Sequence, residues 1–230
     1  MLILAMDTTS RIASAALCRD GAVIGYGEKD SQMNHSRTIL PVVAQLMEEN
    51  GCAMGDVDVF AATVGPGSFT GVRIGVAAIK GYAWSTGKPC AAVSTLESAA
   101  WAAKGRQGTL CAAVKARQDE FFYGFFRSDG ALHRLKDDGV DRAAVILAQL
   151  AQLPQPIYLT GDGADELYGF CAAEGAAQLQ LAEGCRQNAA ATALCAVQLA
   201  NAGRLVDCHG LKPSYLRLSQ AERMKQNNKL

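Results

Sequence analysis

Thr63-Val64-Gly65-Pro66-Gly67-Ser68-Phe69-Thr70-Gly71-Val72-Arg73-Ile74-Gly75 stands between two different periodicities. Before it, residues 57–64 are apolar and β-branched enough for a buried strand; after it, Val72, Val76, Ile79 and Ala83 recur at helical spacing. The glycines and the proline therefore sit where a strand hands over to a helix. Backbone N–H groups at such a turn, and at the helix N-terminus behind it, can receive an anion. The stretch is nevertheless no P-loop, because Gly67 and Gly71 are too close together and no lysine follows before Lys80. Nor is it a dinucleotide fingerprint: Gly65-x-Gly67-x-x-x-Gly71 has the wrong last interval, and no acidic residue follows until Glu97. Gly71, Gly75 and Ala78 line one side of the helix, with Gly81 close by. Each interior glycine costs about 1 kcal/mol against alanine. Another backbone should therefore approach closely, either from within the subunit or across a helix-to-helix seam with a partner.

Working outward, 230 residues suffice for one large domain or two small ones. Twenty-two basic residues balance 22 acidic ones, so no global field draws the chain to nucleic acid or membrane, and any RNA contact must be local or shared with a partner. The eight cysteines are scattered, lack a Cys-x-x-Cys pair and follow no secretory signal, which predicts reduced thiols in a cytoplasmic protein. Leu2 to Met6 is too short for a signal-peptide core, and no run reaches the length of a membrane span.

Residues 2–6 read as a strand ending in the polar turn Asp7-Thr8-Thr9-Ser10; 12–18 and 22–26 read as two more, joined by the Asp20-Gly21 hairpin signal. A helix follows the polar segment 30–34, with Ser36 as its cap and Ile39, Leu40, Val43, Leu46 and Met47 as its apolar stripe. Pro41 either kinks the first turn of that helix or marks its regular start. Beyond the central strand, turn and helix come a short strand at 89–93 and a helix opened by the capping-box spacing Ser94-Thr95-Leu96-Glu97. The order, βββαβαβα, then recurs. Strands are expected at 109–114, 121–126 and 131–135, with a polar turn at 115–119 and a hairpin at Asp129-Gly130. Asp141 is expected to cap a helix through Leu150; strand 156–160, the turn Gly161-Asp162-Gly163, helix 164–174, strand 178–181 and helix 188–202 complete the second half. The repeat predicts an internal duplication, with a first lobe at 1–105 and a second at 106–230 that carries a C-terminal extension, frayed over 221–230. Phe121, Phe122, Tyr123, Phe125 and Phe126 fit core and sheet packing better than RNA stacking.

Duplicated βββαβαβα lobes are similar to the α/β architecture of the actin, Hsp70 and sugar-kinase superfamily. Within it, Met6-Asp7-Thr8-Thr9-Ser10, Asn34-His35-Ser36, the stretch from Gly65 to Gly75 and Pro213-Ser214-Tyr215-Leu216-Arg217 resemble the TsaB (YeaZ) family from one end of the chain to the other. That resemblance implies a non-catalytic paralogue of TsaD, the enzyme that attaches a threonylcarbamoyl group to the adenine next to the anticodon in tRNAs reading codons that begin with A. It implies a protein that pairs with TsaD and, with the small ATPase TsaE, supports the modification, meeting tRNA only through the complex. The intermediate, threonylcarbamoyl-AMP, comes from a separate enzyme.

The residues themselves bear on the non-catalytic implication. TsaD-like proteins hold a metal through a His-x3-His pair on the first long helix. Here Ile39 stands where the second histidine would follow His35, and His133 and His209 are isolated, so neither a metal nor another cofactor is expected. Asp7-Thr8-Thr9 keeps a carboxylate and hydroxyls but has no glycine in the turn, and no Asp or Glu occurs between Val59 and Leu96 to act as a base. A degenerate nucleotide cleft remains open to Asp7, Thr8, Thr9, Gly65, Gly67, Ser68 and Thr70. Gly67-Ser68-Phe69-Thr70-Gly71 also lacks the Gly-x-Ser-x-Gly spacing of a serine nucleophile.

The preferred reading is a scaffold. Its partner face would comprise His35, Ser36, Ile39, Leu40, Val43 and Met47 on one helix and Gly71, Val72, Gly75, Val76 and Ile79 on the next. One face would then serve a homodimer alone and a pseudo-symmetric heterodimer with a TsaD-like paralogue. The alternative is an ATP-dependent phosphotransferase or ATPase using Asp7 and the glycine-rich turn. Arg73 and Arg217 are candidates for RNA or partner contact, with surface solvation as the default.

Overall fold

The computed structural model describes residues 1–30, 34–176 and 178–216; Arg217 and the tail 221–230 lie outside them. β1 (Leu2–Asp7), β2 (Ile12–Arg19) and β3 (Ala22–Asp30) form an antiparallel meander, with Asp20 and Gly21 both at positive φ in the expected hairpin. After α1 (His35–Glu49) come β4 (Val59–Thr63), α2 (Phe69–Thr86) and β5 (Cys90–Val93); the strands join in parallel to give the order β3-β2-β1-β4-β5. α3 (Thr95–Ala102) leads into the second half, which contains β6 (Gly108–Arg117), β7 (Glu120–Ser128), β8 (Leu132–Arg134), β9 (Gly139–Arg142), α4 (Ala143–Leu150), β10 (Ile157–Thr160), α5 (Ala164–Ala173), β11 (Leu179–Leu181) and α6 (Ala189–Asn201). Its sheet runs β11-β10-β6-β7-β8, with β9 also paired to β7.

Each sheet is covered on both sides, which is why β1 is apolar almost without alternation. Leu2, Leu4 and Met6 share a core with Ile39, Val43, Val72 and Val76 of α1 and α2, whereas Ile3 and Ala5 share one with Ala189, Ala193 and Ala196 of α6. In the second sheet Phe121, Tyr123 and Phe125 pack with Ile146 of α4 and Leu167 of α5, while Phe126, Leu110 and Ala112 pack with Leu96 and Ala99 of α3. The aromatic strand is core, as its composition suggested. The strands thus sort by sheet on either side of residues 94–107, but the closing helices cross over: α3 covers the second sheet and α6 the first. These two helices touch through Ser98 Oγ, 3.2 Å from the Asn188 carbonyl and 3.0 Å from Thr192 Oγ1. The chain then continues along the first sheet, where Val206 bridges to Cys90 and Leu211 is fully buried. The division expected at 105/106 therefore separates the strands, while α6 and residues 205–216 pack on the first lobe.

Several local expectations are corrected. Ser36 lies inside α1; the N-cap residue is Asn34, which makes no side-chain cap bond. α1 runs continuously through Pro41, whose ring lies on the exposed side of the helix. Asp141 does not cap α4 but sits in β9, where it accepts a bond from the Tyr123 hydroxyl at 2.9 Å. The polar stretch 115–119 is largely strand, because β6 continues to Arg117 through a register shift. Ser94 caps α3 as expected, accepting from the Glu97 N–H at 3.4 Å, and in the structure Ser68 caps α2, accepting from the Gly71 N–H at 3.2 Å.

Candidate functional site

Parallel pairing of β1 with β4 brings the polar turn after β1 against the glycine-rich turn after β4. Thr8 Oγ1 donates to the Gly71 carbonyl at 2.7 Å, and the Ser68 N–H donates to the Thr9 carbonyl at 2.9 Å. The Thr9 hydroxyl and N–H both donate to Asp7 Oδ1, at 2.7 and 2.8 Å. This contact explains the glycines. A Cβ on Gly71 would drive into the Thr8 carbonyl oxygen, one on Gly75 into Thr8 Oγ1, and one on Gly67 into the Thr9 carbonyl. The close approach lies inside the subunit, between α2 and the β1 turn. From the other side residues 205–216 form a strap: the Ser214 N–H donates to the Val64 carbonyl at 2.7 Å, and Gly65, at φ +116°, has no room for a side chain against the Ser214 carbonyl. The structure therefore gathers Asp7, Thr8, Thr9, Gly65, Gly67 and Ser68 in one place, with Thr70 exposed at the rim, but these residues mostly bond one another.

Asp7 is 1% exposed, and its Oδ2 has no hydrogen-bond partner. Burial raises its carboxyl above the ordinary range, against the two Thr9 bonds that lower it. Thr63 Oγ1, also buried without a partner, lies close enough to oppose the rise. The buried His35 donates from Nε2 to the Ser10 carbonyl at 2.6 Å, so it ties the start of α1 to the same turn. Among the described residues no group of three or more His, Cys, Asp or Glu could hold a metal ion. Next to this cluster a cleft of about 370 Å³ opens between the lobes, lined by Ser10, Arg11, Tyr26, Asp162, Arg186 and Gln187. Gln187 Oε1 accepts from the Asp162 N–H at 3.1 Å, and its Nε2 has no partner. Sequence reasoning missed this second-lobe side, because Gly161-Asp162-Gly163 reads as an ordinary turn.

The helix stripes chosen as a partner face point inward. Ile39, Val43, Met47, Val72, Val76 and Ile79 are 0–5% exposed in the first core, and His35, Gly71 and Gly75 are buried too. Of the expected set only Ser36 and Leu40, the latter 45% exposed, present side chains to solvent. α2 turns a different phase outward: Phe69, Arg73, Ala77, Gly81 and Trp84, with Trp84 75% exposed. A Cβ on Gly81 would meet nothing within 4 Å, so this glycine has no reason inside the subunit. Trp84 follows the buried Ala83 by one residue, and that offset was the available signal.

A family model described as TsaD, tRNA N6-adenosine threonylcarbamoyltransferase, matches residues 28–222. The tRNA threonylcarbamoyladenosine biosynthesis protein TsaB of Bacillus subtilis is 30% identical over 236 residues, which cover 96% of each chain. The chain belongs to the TsaB (YeaZ) family. YeaZ from Pseudomonas aeruginosa superposes with a TM-score of 0.77 at 25% identity, over 94% of this chain and 99% of that one. ROK hexokinase from Thermus thermophilus superposes at 0.52 with 11% identity, over 84% and 98%, and shares the fold alone, the actin and sugar-kinase architecture. No helix among the described residues is long and apolar enough to cross a membrane.

Proposed function

We propose that the chain is a non-catalytic scaffold and activator in tRNA threonylcarbamoyladenosine biosynthesis. It pairs with a TsaD-like paralogue and, with a TsaE-like ATPase, supports threonylcarbamoylation of the adenine next to the anticodon in tRNAs reading codons that begin with A. The observation that carries this reading is the closure of the Asp7 turn on the glycine-rich turn. A phosphate-transferring site needs free N–H and hydroxyl groups at those positions, and here Thr8 Oγ1, Thr9 Oγ1 and the Ser68 N–H are all committed to the chain's own atoms. Family membership and the unpartnered outer phases of α1 and α2 support the partner role. On this reading Ser36 and Leu40 of α1 join Phe69, Arg73, Ala77, Gly81 and Trp84 of α2 as the contact residues, and Ile39, Val43, Met47, Val72, Val76 and Ile79 hold that face in place from behind. The same face forms a homodimer when the chain is alone. The protein is cytoplasmic and meets tRNA only through the complex.

Leave-one-out reconstitution tests the proposal, using unmodified tRNA, purified TsaD, TsaE and the enzyme that forms threonylcarbamoyl-AMP, with and without this chain. Turnover that collapses without the chain supports the reading, and turnover that is unchanged rejects it. The phosphotransferase or ATPase alternative predicts magnesium-dependent ATP turnover by the chain alone, lost in Asp7→Ala; the scaffold reading predicts none above background.

A further inference from the structure

On the outer face of α2 the Arg73 guanidinium lies 3.8 Å over the Phe69 ring, and its Nε donates to the Tyr215 hydroxyl at 2.8 Å. The Phe69 and Tyr215 ring centroids are 5.1 Å apart, and the rings are 41% and 44% exposed, so the assembly is a surface feature. A solvated arginine ordinarily keeps its side-chain freedom. Here a ring face and a phenol hold it in one orientation. Its two terminal nitrogens have no acceptor among the described residues; Arg37, Arg106 and Arg204 likewise lack a carboxylate, whereas Arg73 alone of these four is held by both a ring face and a phenol hydroxyl. The sequence supplies none nearby: α2 carries Arg73 and Lys80 without an acid, inside a run from Val59 to Leu96 that has no Asp or Glu.

We propose that Arg73, oriented by Phe69 and Tyr215, anchors a carboxylate on a helix of the protein partner. This rests on the partner-face reading above and names the chemistry that the face recognises. A guanidinium fork matches a carboxylate through two parallel bonds, and an orientation fixed in advance spares the ordering cost on binding. Ala77 and Gly81, one and two turns along, leave room for a partner backbone, and Trp84 ends the row with an aromatic anchor. RNA fits this surface less well. It calls for several cations and for free ring faces, whereas Arg73 already covers a face of Phe69 and small residues follow. Tyr215 comes from the C-terminal strap that Leu211 and Ser214 seat on the first lobe, so the set of the strap governs the aim of Arg73.

The test is calorimetric titration of the TsaD-like paralogue from the same organism with wild type, Arg73→Lys, Arg73→Glu and Tyr215→Phe, with thermal unfolding of each variant alone as a folding control. Arg73→Lys keeps the charge but not the fork or the stacking, and should weaken binding about tenfold. Arg73→Glu should weaken it by roughly a hundredfold or more, and Tyr215→Phe about threefold; melting temperatures should stay near wild type. Full affinity in Arg73→Lys or Arg73→Glu overturns the anchor and leaves the partner face standing. Failure of the wild type to bind the paralogue overturns both. A loss confined to tRNA binding by the assembled complex identifies phosphate as the ligand, and a loss confined to self-association identifies a second copy; either result overturns the proposal.

Discussion

Replacing Asp7 by asparagine should stabilise the protein above neutral pH. The carboxyl is 1% exposed; Oδ1 accepts two bonds from Thr9, and Oδ2 has none. A buried acceptor left unpaired costs about 1–3 kcal/mol, and more when charged. Asparagine keeps the two accepted bonds and puts an amide donor beside Thr63 Oγ1, itself without a partner. Because burial raises the folded-state pKa of Asp7, the native chain holds this proton more tightly than the unfolded chain. The associated stability is complete below the ordinary carboxylate pKa and is lost as pH rises through the folded value. Wild type and Asp7→Asn should therefore differ least at acid pH, and the variant's advantage should grow as pH rises, towards the cost of the unpaired acceptor, about 1–2 kcal/mol or roughly 3–6 °C for a chain of this size. Thermal unfolding of both proteins across pH 4–8 measures the difference. A variant less stable than wild type at pH 8, or a difference that does not change with pH, would rule out the buried, unpaired carboxylate as a destabilising charge.

The glycines of α2 should separate by mutation. Gly71→Ala meets a backbone carbonyl and should cost more than Gly75→Ala, which meets a hydroxyl and should cost about 1–3 kcal/mol, whereas Gly81→Ala should stabilise by about 0.5–1 kcal/mol in denaturant unfolding. Val76→Glu places a charge in the first core and should abolish the folded circular dichroism spectrum, while Trp84→Glu should leave unfolding within about 1 kcal/mol of wild type and remove paralogue binding in gel filtration. Ser94→Ala should cost about 1 kcal/mol through the lost α3 cap, measured by urea unfolding.

The sequence was most legible where one periodicity served one purpose. The apolar run of β1, the Asp20-Gly21 hairpin and the handover at Gly65 follow from local chemistry alone. Interior glycines announce a close approach without naming the other party, and only the folded chain identifies it as Thr8. The Ile39 and Val76 stripes state which residues require burial; the chain's own sheet meets that requirement first, so the phase with Leu40 and Trp84 is the one that stays exposed. The exchange of α3 and α6 between sheets was hidden because both helices are rich in alanine and other apolar residues, and amphipathicity does not name the sheet it fits. β9 is four residues long and pairs only with part of β7, too little to leave a strand pattern.

If the chain acts through its outer face, the Asp7 cluster should be dispensable for turnover. The most direct measurement compares Asp7→Asn with the double variant Leu40→Glu/Trp84→Glu in reconstituted threonylcarbamoylation of tRNA. Asp7→Asn should give wild-type turnover, and the double variant only the background seen without the chain. Loss of turnover with Asp7→Asn, together with full turnover in the double variant, would place the chain's action in the Asp7 cluster instead.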